Sequence, residues 1–174
     1  MPDTFFITGT DTDCGKTLVT AALLQSFAGQ GMSTAALKPV AAGCYETEDG
    51  QLRNEDADVL MAHQNVELSY QQVNPVALRE PVSPHIAAQK AGKRLTVSQL
   101  VGYCRGSMMG KHDVLLIEGA GGWRVPLNPV ETLATLPREL NVPVVLVVGL
   151  KLGCLNHALL SAEAIVRDGV RLAG

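Results

Sequence analysis

The sequence predicts an α/β domain of three layers, a mostly parallel sheet with helices on both faces, and three observations carry that expectation. Its 174 residues are 47% apolar but only 4% aromatic, the Ala, Val and Leu profile of parallel strands buried on both faces. Short apolar runs at 4–8, 33–37, 113–118 and 141–149 alternate with stretches whose apolar residues recur at helical spacing. Between the first run and the first helical stretch stands a glycine-bounded loop, Gly9-Thr10-Asp11-Thr12-Asp13-Cys14-Gly15-Lys16-Thr17.

Strand, loop and helix in this order cradle phosphate. Backbone N–H groups and the helix N-terminus face the anion, a lysine neutralises it, and a threonine hydroxyl holds Mg²⁺. The strict pattern has four residues between its glycines. Here five separate Gly9 from Gly15, and Thr10 stands in the first glycine's place. Position after a strand and before a helix favours a variant P-loop, hence a P-loop NTPase-like fold, over a turn with a coincidental Gly-Lys-Thr.

The helix after the loop carries Leu18, Val19, Ala22, Leu23, Ser26 and Phe27 as its apolar stripe and stops at Gly29-Gln30-Gly31. The run at 33–37 delivers Lys38-Pro39-Val40 at its C-terminal end, where open parallel sheets bind ligands. Lys38 is therefore either a participant in charge chemistry, lying in a solvent-filled cleft, or a solvated surface lysine. Residues 41–51 read as loop. Asn54 reads as the N-cap of a helix with Ala57, Leu60 and Met61 on one side. Asp56 then falls in its first turn, where a carboxylate either complements the helix dipole or serves the site.

Residues 69–86, with Pro75, Pro81 and Pro84, read as irregular, a shaped binding loop rather than a linker. Thr96-Val97-Ser98-Gln99 carries the capping-box signature of a helix start. The run at 113–118 ends in Glu118 and continues as Gly119-Ala120-Gly121-Gly122-Trp123. A strand of aliphatic residues ending in an acid suits the neighbour of a P-loop strand, its carboxylate placed for Mg²⁺ or its water shell. Pro137 makes any helix within 131–140 start late or kink.

The run at 141–149 reads as a central parallel strand, and Gly153 and Asn156 open the helix after it as a second anion-facing N-terminus. His157 reads as a helix-start or core histidine, and His63 and His112 as surface residues, while His85 is unassigned. A further strand is expected beyond Gly174, which leaves 144–148 at an apolar edge.

The length suits one domain with a sizeable core. A net charge of −3 gives no electrostatic argument for nucleic acid or an anionic membrane. No stretch reaches the ~18–20 apolar residues of a membrane span, and the N-terminus lacks the layout of a signal peptide. Cys14, Cys44, Cys104 and Cys154 form no C-x-x-C pair, so neither zinc nor a disulfide framework is suggested, and a reduced, cytoplasmic setting is expected.

Over essentially its whole length the chain resembles the dethiobiotin synthetase family. The likeness rests on the loop with its five-residue spacing and on Lys38-Pro39-Val40, Leu52-Arg53-Asn54-Glu55-Asp56, Ser83-Pro84-His85, Glu118-Gly119-Ala120-Gly121-Gly122-Trp123 and Lys151-Leu152-Gly153-Cys154-Leu155-Asn156-His157. The resemblance implies a ligase of biotin biosynthesis that forms C–N bonds, using ATP, Mg²⁺ and CO₂ to close a cyclic urea in 7,8-diaminononanoate.

The resemblance also implies roles. Lys16 and Lys38 would hold the carbamate and the transferring phosphoryl. Thr12, Asp13, Cys14, Gly15, Lys16, Thr17, Asp56, Glu118, Gly119, Ala120 and Gly121 would surround the nucleotide, with Thr17, Asp56 and Glu118 as Mg²⁺ ligands. Lys38, Ala42, Gly153, Cys154 and Asn156 would meet the substrate, the 153–156 turn coming from the second subunit of a homodimer. The carbamate is itself the nucleophile, so no Ser, Cys or His nucleophile is required.

Two departures stand out. Ala41-Ala42 occupies a loop where the family often has a serine, which removes one hydrogen bond to substrate. The family also continues beyond position 174 with a base-reading segment, so 1–174 is expected to be a single domain lacking the family's C-terminal portion. The alternatives are a related P-loop synthetase or amidotransferase domain, a ParA-like ATPase, and an inactive truncated remnant. The ParA-like group usually carries an extra lysine early in its loop, and 9–14 has none.

Overall fold

The computed structural model describes residues 2–174. In chain order the elements are β1 (Asp3–Gly9), α1 (Lys16–Gly29), β2 (Thr34–Leu37), β3 (Val40–Ala42), β4 (Tyr45–Glu46), β5 (Leu52–Arg53), α2 (Glu55–His63), α3 (Tyr70–Val73), β6 (Val76–Leu78), α4 (Pro84–Lys90), α5 (Val97–Met108), β7 (Val114–Glu118), α6 (Thr135–Leu140), β8 (Val144–Val147) and α7 (Cys154–Arg167). The main sheet has the order β2-β7-β1-β8, parallel throughout, as the apolar runs predict.

Alternation along the strands fills both faces. Phe6, Leu37, Leu115 and Ile117 belong to one apolar core, and Ile7, Ala36, Leu116 and Leu24 to the other. Burying each large aliphatic side chain contributes roughly 1.5–3 kcal/mol. The register pairs Ile7 with Glu118 and Leu37 with Ile117. The start of the glycine loop, Lys38 and Glu118 therefore leave the sheet side by side at its C-terminal edge, where such sheets bind ligands.

The expected side-chain caps form at helix starts, but the box at Thr96 does not close, since the Gln99 side chain donates to the Tyr103 hydroxyl instead. Asn54 caps α2 by accepting from the Ala57 N–H at 3.4 Å, and Thr96 caps α5 by accepting from the Gln99 N–H at 3.3 Å. α6 starts late, at Thr135, with Pro137 inside its first turn. Among the described residues no helix is long and apolar enough to cross a membrane.

Four readings need correction. The fully buried face of α1 is Lys16, Thr20, Ala21 and Leu24; of the expected stripe, Val19, Leu23 and Phe27 pack half-buried against the core, while Ala22 and Ser26 are exposed and Leu18 is 75% exposed. The loop turns Lys16 inward, and positions four apart from it share its face. Residues 41–51 and 69–86 are not simply loop, since they hold β3, β4, α3, β6 and the start of α4. These elements are two to seven residues long, too short for periodicity to reveal. β8 is not central to the named strands but ends their order. Residues 171–174 lie along its outer side: the Ala173 N–H donates to Val144 O at 2.7 Å and the Leu146 N–H to Gly174 O at 2.8 Å. The apolar edge expected at 144–148 is therefore covered where these bonds form.

His112 is the fourth. It is buried rather than on the surface, and neither ring nitrogen has a hydrogen-bond partner. Gly110 makes the room, because a Cβ there would stand 2.8 Å from the imidazole Cε1. Burial pulls the His112 pKa below its ordinary 6.5, against the opposing pull of Asp113. The unfolded chain thus binds a proton at a higher pH than the folded one, and this residue's contribution to stability falls as pH drops through 6.5 toward the folded value. Thermal unfolding midpoints of the wild type and His112→Gln should diverge in pH dependence between pH 7.5 and 5.5, with the flatter profile in the variant. Parallel profiles would show that His112 titrates normally.

Candidate nucleotide and cation site

The glycine loop turns sharply because two of its residues have left-handed backbone, Asp13 at φ 54° and Gly15 at φ 96°. Gly9 must lack a side chain, since a Cβ there would collide with Cys14 Sγ and stand 3.2 Å from Asp11 O. Lys16 is buried and folds back over its own loop, its Nζ donating to Asp11 O at 2.9 Å. Burial lowers the pKa of its ammonium, and the like charge of Lys38 adds to this. Lys151 pairs with Asp11 at 2.8 Å and so ties the start of the α7 segment to the loop.

At the centre Lys38 Nζ donates to Asp56 Oδ2 at 2.8 Å, Glu118 Oε1 at 2.6 Å and Gly119 O at 3.1 Å. Glu118 Oε1 also accepts from the Thr17 hydroxyl at 2.9 Å, across 101 residues of sequence. Lys38 does border a cleft, as expected, but it is buried at the cleft's edge rather than solvated: Lys38 is 3% exposed and Glu118 0%. Burial alone would lower the Lys38 pKa, but the Glu118 and Asp56 carboxylates outweigh it and raise the pKa. The same pairing holds Asp56 below the usual carboxylate range despite its own partial burial.

Thr17, Asp56 and Glu118 thus converge on one point as expected, with a lysine ammonium drawn in among them. Glu118 Oε2 is buried and has no hydrogen-bond partner, an acceptor left over after Lys38 and Thr17 are served. Among the described residues no three His, Cys, Asp or Glu side chains cluster as metal ligands. Two carboxylates and a hydroxyl are instead the sparse, hard-oxygen set that suits Mg²⁺, which keeps waters and takes substrate phosphate oxygens.

This point opens on a cavity of about 690 Å³. One wall is Thr12, Asp13, Gly15, Lys16 and Thr17, continued by Ala120, Gly121 and Gly122. The cavity is also lined by Ala41, Ala42 and the proline loop at 81–84, which the sequence marks as a binding loop. Gly121 is left-handed at φ 61°, and a Cβ there would press on Val125 at 3.0 Å. Trp123 and Arg124 anchor this second glycine segment by donating to the two Asp168 carboxylate oxygens at 2.8 and 2.6 Å. His85 lies beside the proline loop, 2.9 Å from the Ser83 hydroxyl.

Some expected site residues do not line the cavity. Cys14 turns its thiol toward Val147 O at 3.5 Å, so it packs the loop from behind. Gly119 contributes its carbonyl to Lys38 instead of a wall. Gly153, Cys154 and Asn156 lie outside the cavity at the start of α7. Leu18, Val125 and Asn54 do line it without having been singled out for that role. Their apolar or capping character explains their positions in sequence just as well, so nothing there separates them from structural residues.

A family profile described as an AAA domain matches residues 3–174. The chain is 56% identical over 171 residues to the ATP-dependent dethiobiotin synthetase BioD of Marinobacter nauticus, covering 98% of this chain and 73% of that protein. It is 58% identical over 170 residues to the protein of the same name from Cellvibrio japonicus, covering 98% and 74%. Among solved structures, the kinase domain of the Escherichia coli tyrosine kinase ETK superposes with a TM-score of 0.54 at 16% identity, covering 99% of this chain and 65% of that one. That last likeness speaks for the fold alone.

Proposed function

Because the chain belongs to the ATP-dependent dethiobiotin synthetase family, we propose that it converts 7,8-diaminononanoate, CO₂ and ATP into dethiobiotin, ADP and phosphate. One substrate amine adds to CO₂ and loses a proton, giving a carbamate. A carbamate oxygen takes the γ-phosphoryl of ATP as ADP leaves. The second amine then attacks the activated carbon, expelling phosphate and closing the urea ring. The observation that carries this reading is the hydrogen-bonded meeting of Lys38, Thr17, Asp56 and Glu118, with Lys16 of the glycine loop lining the same cavity.

Phosphoryl transfer asks mainly for positioning and charge neutralisation, and that is what these residues supply. Lys16, with the loop N–H groups, holds the polyphosphate, and Lys38 balances the carbamate and the moving phosphoryl. Thr17, Asp56 and Glu118 would hold Mg²⁺, and the leftover Glu118 oxygen supports that fit. Bound there, the ion would supply charge neutralisation on the phosphate oxygens. Ala42 in the cavity lining gives the substrate a van der Waals surface rather than a hydrogen bond.

The substrate carboxylate would meet the 153–156 turn of a second copy, so the working unit is a homodimer. The outward leucines of the α7 segment, Leu152, Leu155, Leu159 and Leu160, support this, because they form an exposed apolar surface beside that turn. Four free thiols fit a cytoplasmic setting. Incubating the protein with ATP, Mg²⁺, bicarbonate and 7,8-diaminononanoate should yield dethiobiotin, identified by mass spectrometry. Nucleotide hydrolysis without that product would reject the reading.

A further inference from the structure

We infer that Asn74 and Tyr70 are positioning residues that set Lys38 and the start of α2 at the distance the site requires. The inference rests on the functional reading above, in which Lys38 meets the reacting groups. Lys38 is held by its backbone on both sides: its N–H donates to Val73 O at 2.7 Å, and its carbonyl accepts from Asn74 Nδ2 at 2.6 Å. The other end of the Asn74 amide accepts from the Tyr70 hydroxyl at 2.9 Å, and the Tyr70 oxygen accepts from the Asn54 N–H at 2.7 Å.

Asn54 caps α2, whose first turn carries Asp56, the second partner of the Lys38 ammonium. A closed circuit thus runs from the Lys38 peptide through Asn74, Tyr70 and Asn54 to Asp56 and back to Lys38 Nζ. Asn74, Tyr70 and Asn54 are all buried, Asn74 being only 3% exposed. A buried polar chain with its groups paired is rigid, and it is costly to break at any link. Burial pushes the Tyr70 hydroxyl up to about 12, so it stays protonated and keeps donating. The Arg53 guanidinium stacks on its ring, 4.3 Å from the centroid, and holds the phenol in place. Pro75 keeps Asn74 out of helical backbone, which ends α3 at Val73 and leaves the amide free for Lys38.

The variants separate the two bonds of Asn74. Asn74→Asp keeps the acceptor for Tyr70 but loses the donor to Lys38, and Tyr70→Phe removes the relay to Asn54 while leaving the ring. Because misplacement of about 1 Å costs ~10²-fold, Asn74→Asp should lower kcat by ~10–10²-fold and Tyr70→Phe by about 3–10-fold, with a much smaller change in KM for ATP. In a Lys38→Ala background either substitution should lower kcat much less than in the wild type, because the main residue they act through is gone and only the effect through Asp56 is left. Calorimetric affinity for Mg²⁺ATP, which needs no turnover, should fall about 3–10-fold in Asn74→Asp through the displaced Asp56. Unchanged kcat and affinity in both folded variants would overturn the inference, as would equal losses with and without Lys38. A wild type that makes no dethiobiotin would overturn the functional reading instead, and the calorimetry would still decide the positioning.

Discussion

Lys38→Ala should lower turnover by ~10²–10³-fold, the usual loss when one preorganised group facing developing transition-state charge is removed. It should also destabilise the fold, which a lysine in an open cleft would not. Glu118 is fully buried and receives its charge partner from Lys38 at 2.6 Å. Removing one member of such a pair leaves an uncompensated buried carboxylate and costs ~3–5 kcal/mol. Asp56, at 45% side-chain exposure, loses little because water replaces the ammonium. Mg²⁺ should restore part of the loss, since the orphaned carboxylate gains a cation, so the melting temperature of the variant should rise more with Mg²⁺ than that of the wild type. Near-normal turnover would remove Lys38 from the mechanism, and an unchanged melting temperature would show that Glu118 finds another partner.

The case of Lys38 shows which parts of the site are legible in sequence. Its place after a strand, beside the glycine loop and near an acid that ends the next strand, follows from apolar runs and the C-terminal-edge rule. The register of β7 against β1 and β2 then brings Glu118 level with Ile7 and next to Lys38. Burial is not legible, because it depends on what covers the edge. Here the covers are α2 and the segment at 70–78, elements of three to nine residues with little periodicity. The same limit hides Asn74. An Asn-Pro pair in a proline-rich stretch reads only as part of an irregular loop, and only the folded path of 73–78 brings its amide to the Lys38 carbonyl. His112 fails for the opposite reason: a histidine beside Lys111 and Asp113 looks solvated, yet Gly110 leaves a pocket for its ring.

Glu118→Gln should abolish most of the Mg²⁺ dependence of nucleotide binding while leaving the loop itself competent. The substitution keeps shape and one carbonyl oxygen, so the Thr17 hydroxyl retains an acceptor. What is lost is the charge, and with it the oxygen that no protein donor occupies. Mg²⁺ would then be left with Asp56 and Thr17, one carboxylate instead of two, and a hard cation held by so few anionic ligands binds weakly. Turnover should drop ~10²-fold or more, since neutralising charge on the phosphoryl oxygens is worth several kcal/mol. Stability should fall less than in Lys38→Ala, because the Lys38 ammonium still has Asp56 at 2.8 Å and Gly119 O at 3.1 Å. Asp56→Asn makes the internal comparison: it removes an equal charge from a half-exposed position, so metal dependence should suffer while the melting temperature barely moves. Calorimetric titration of ATP with and without Mg²⁺, run on the wild type and both variants, reads the effect directly. If Mg²⁺ strengthens ATP binding by the same factor in Glu118→Gln as in the wild type, Glu118 is a structural partner of Lys38 and Thr17 and holds no metal.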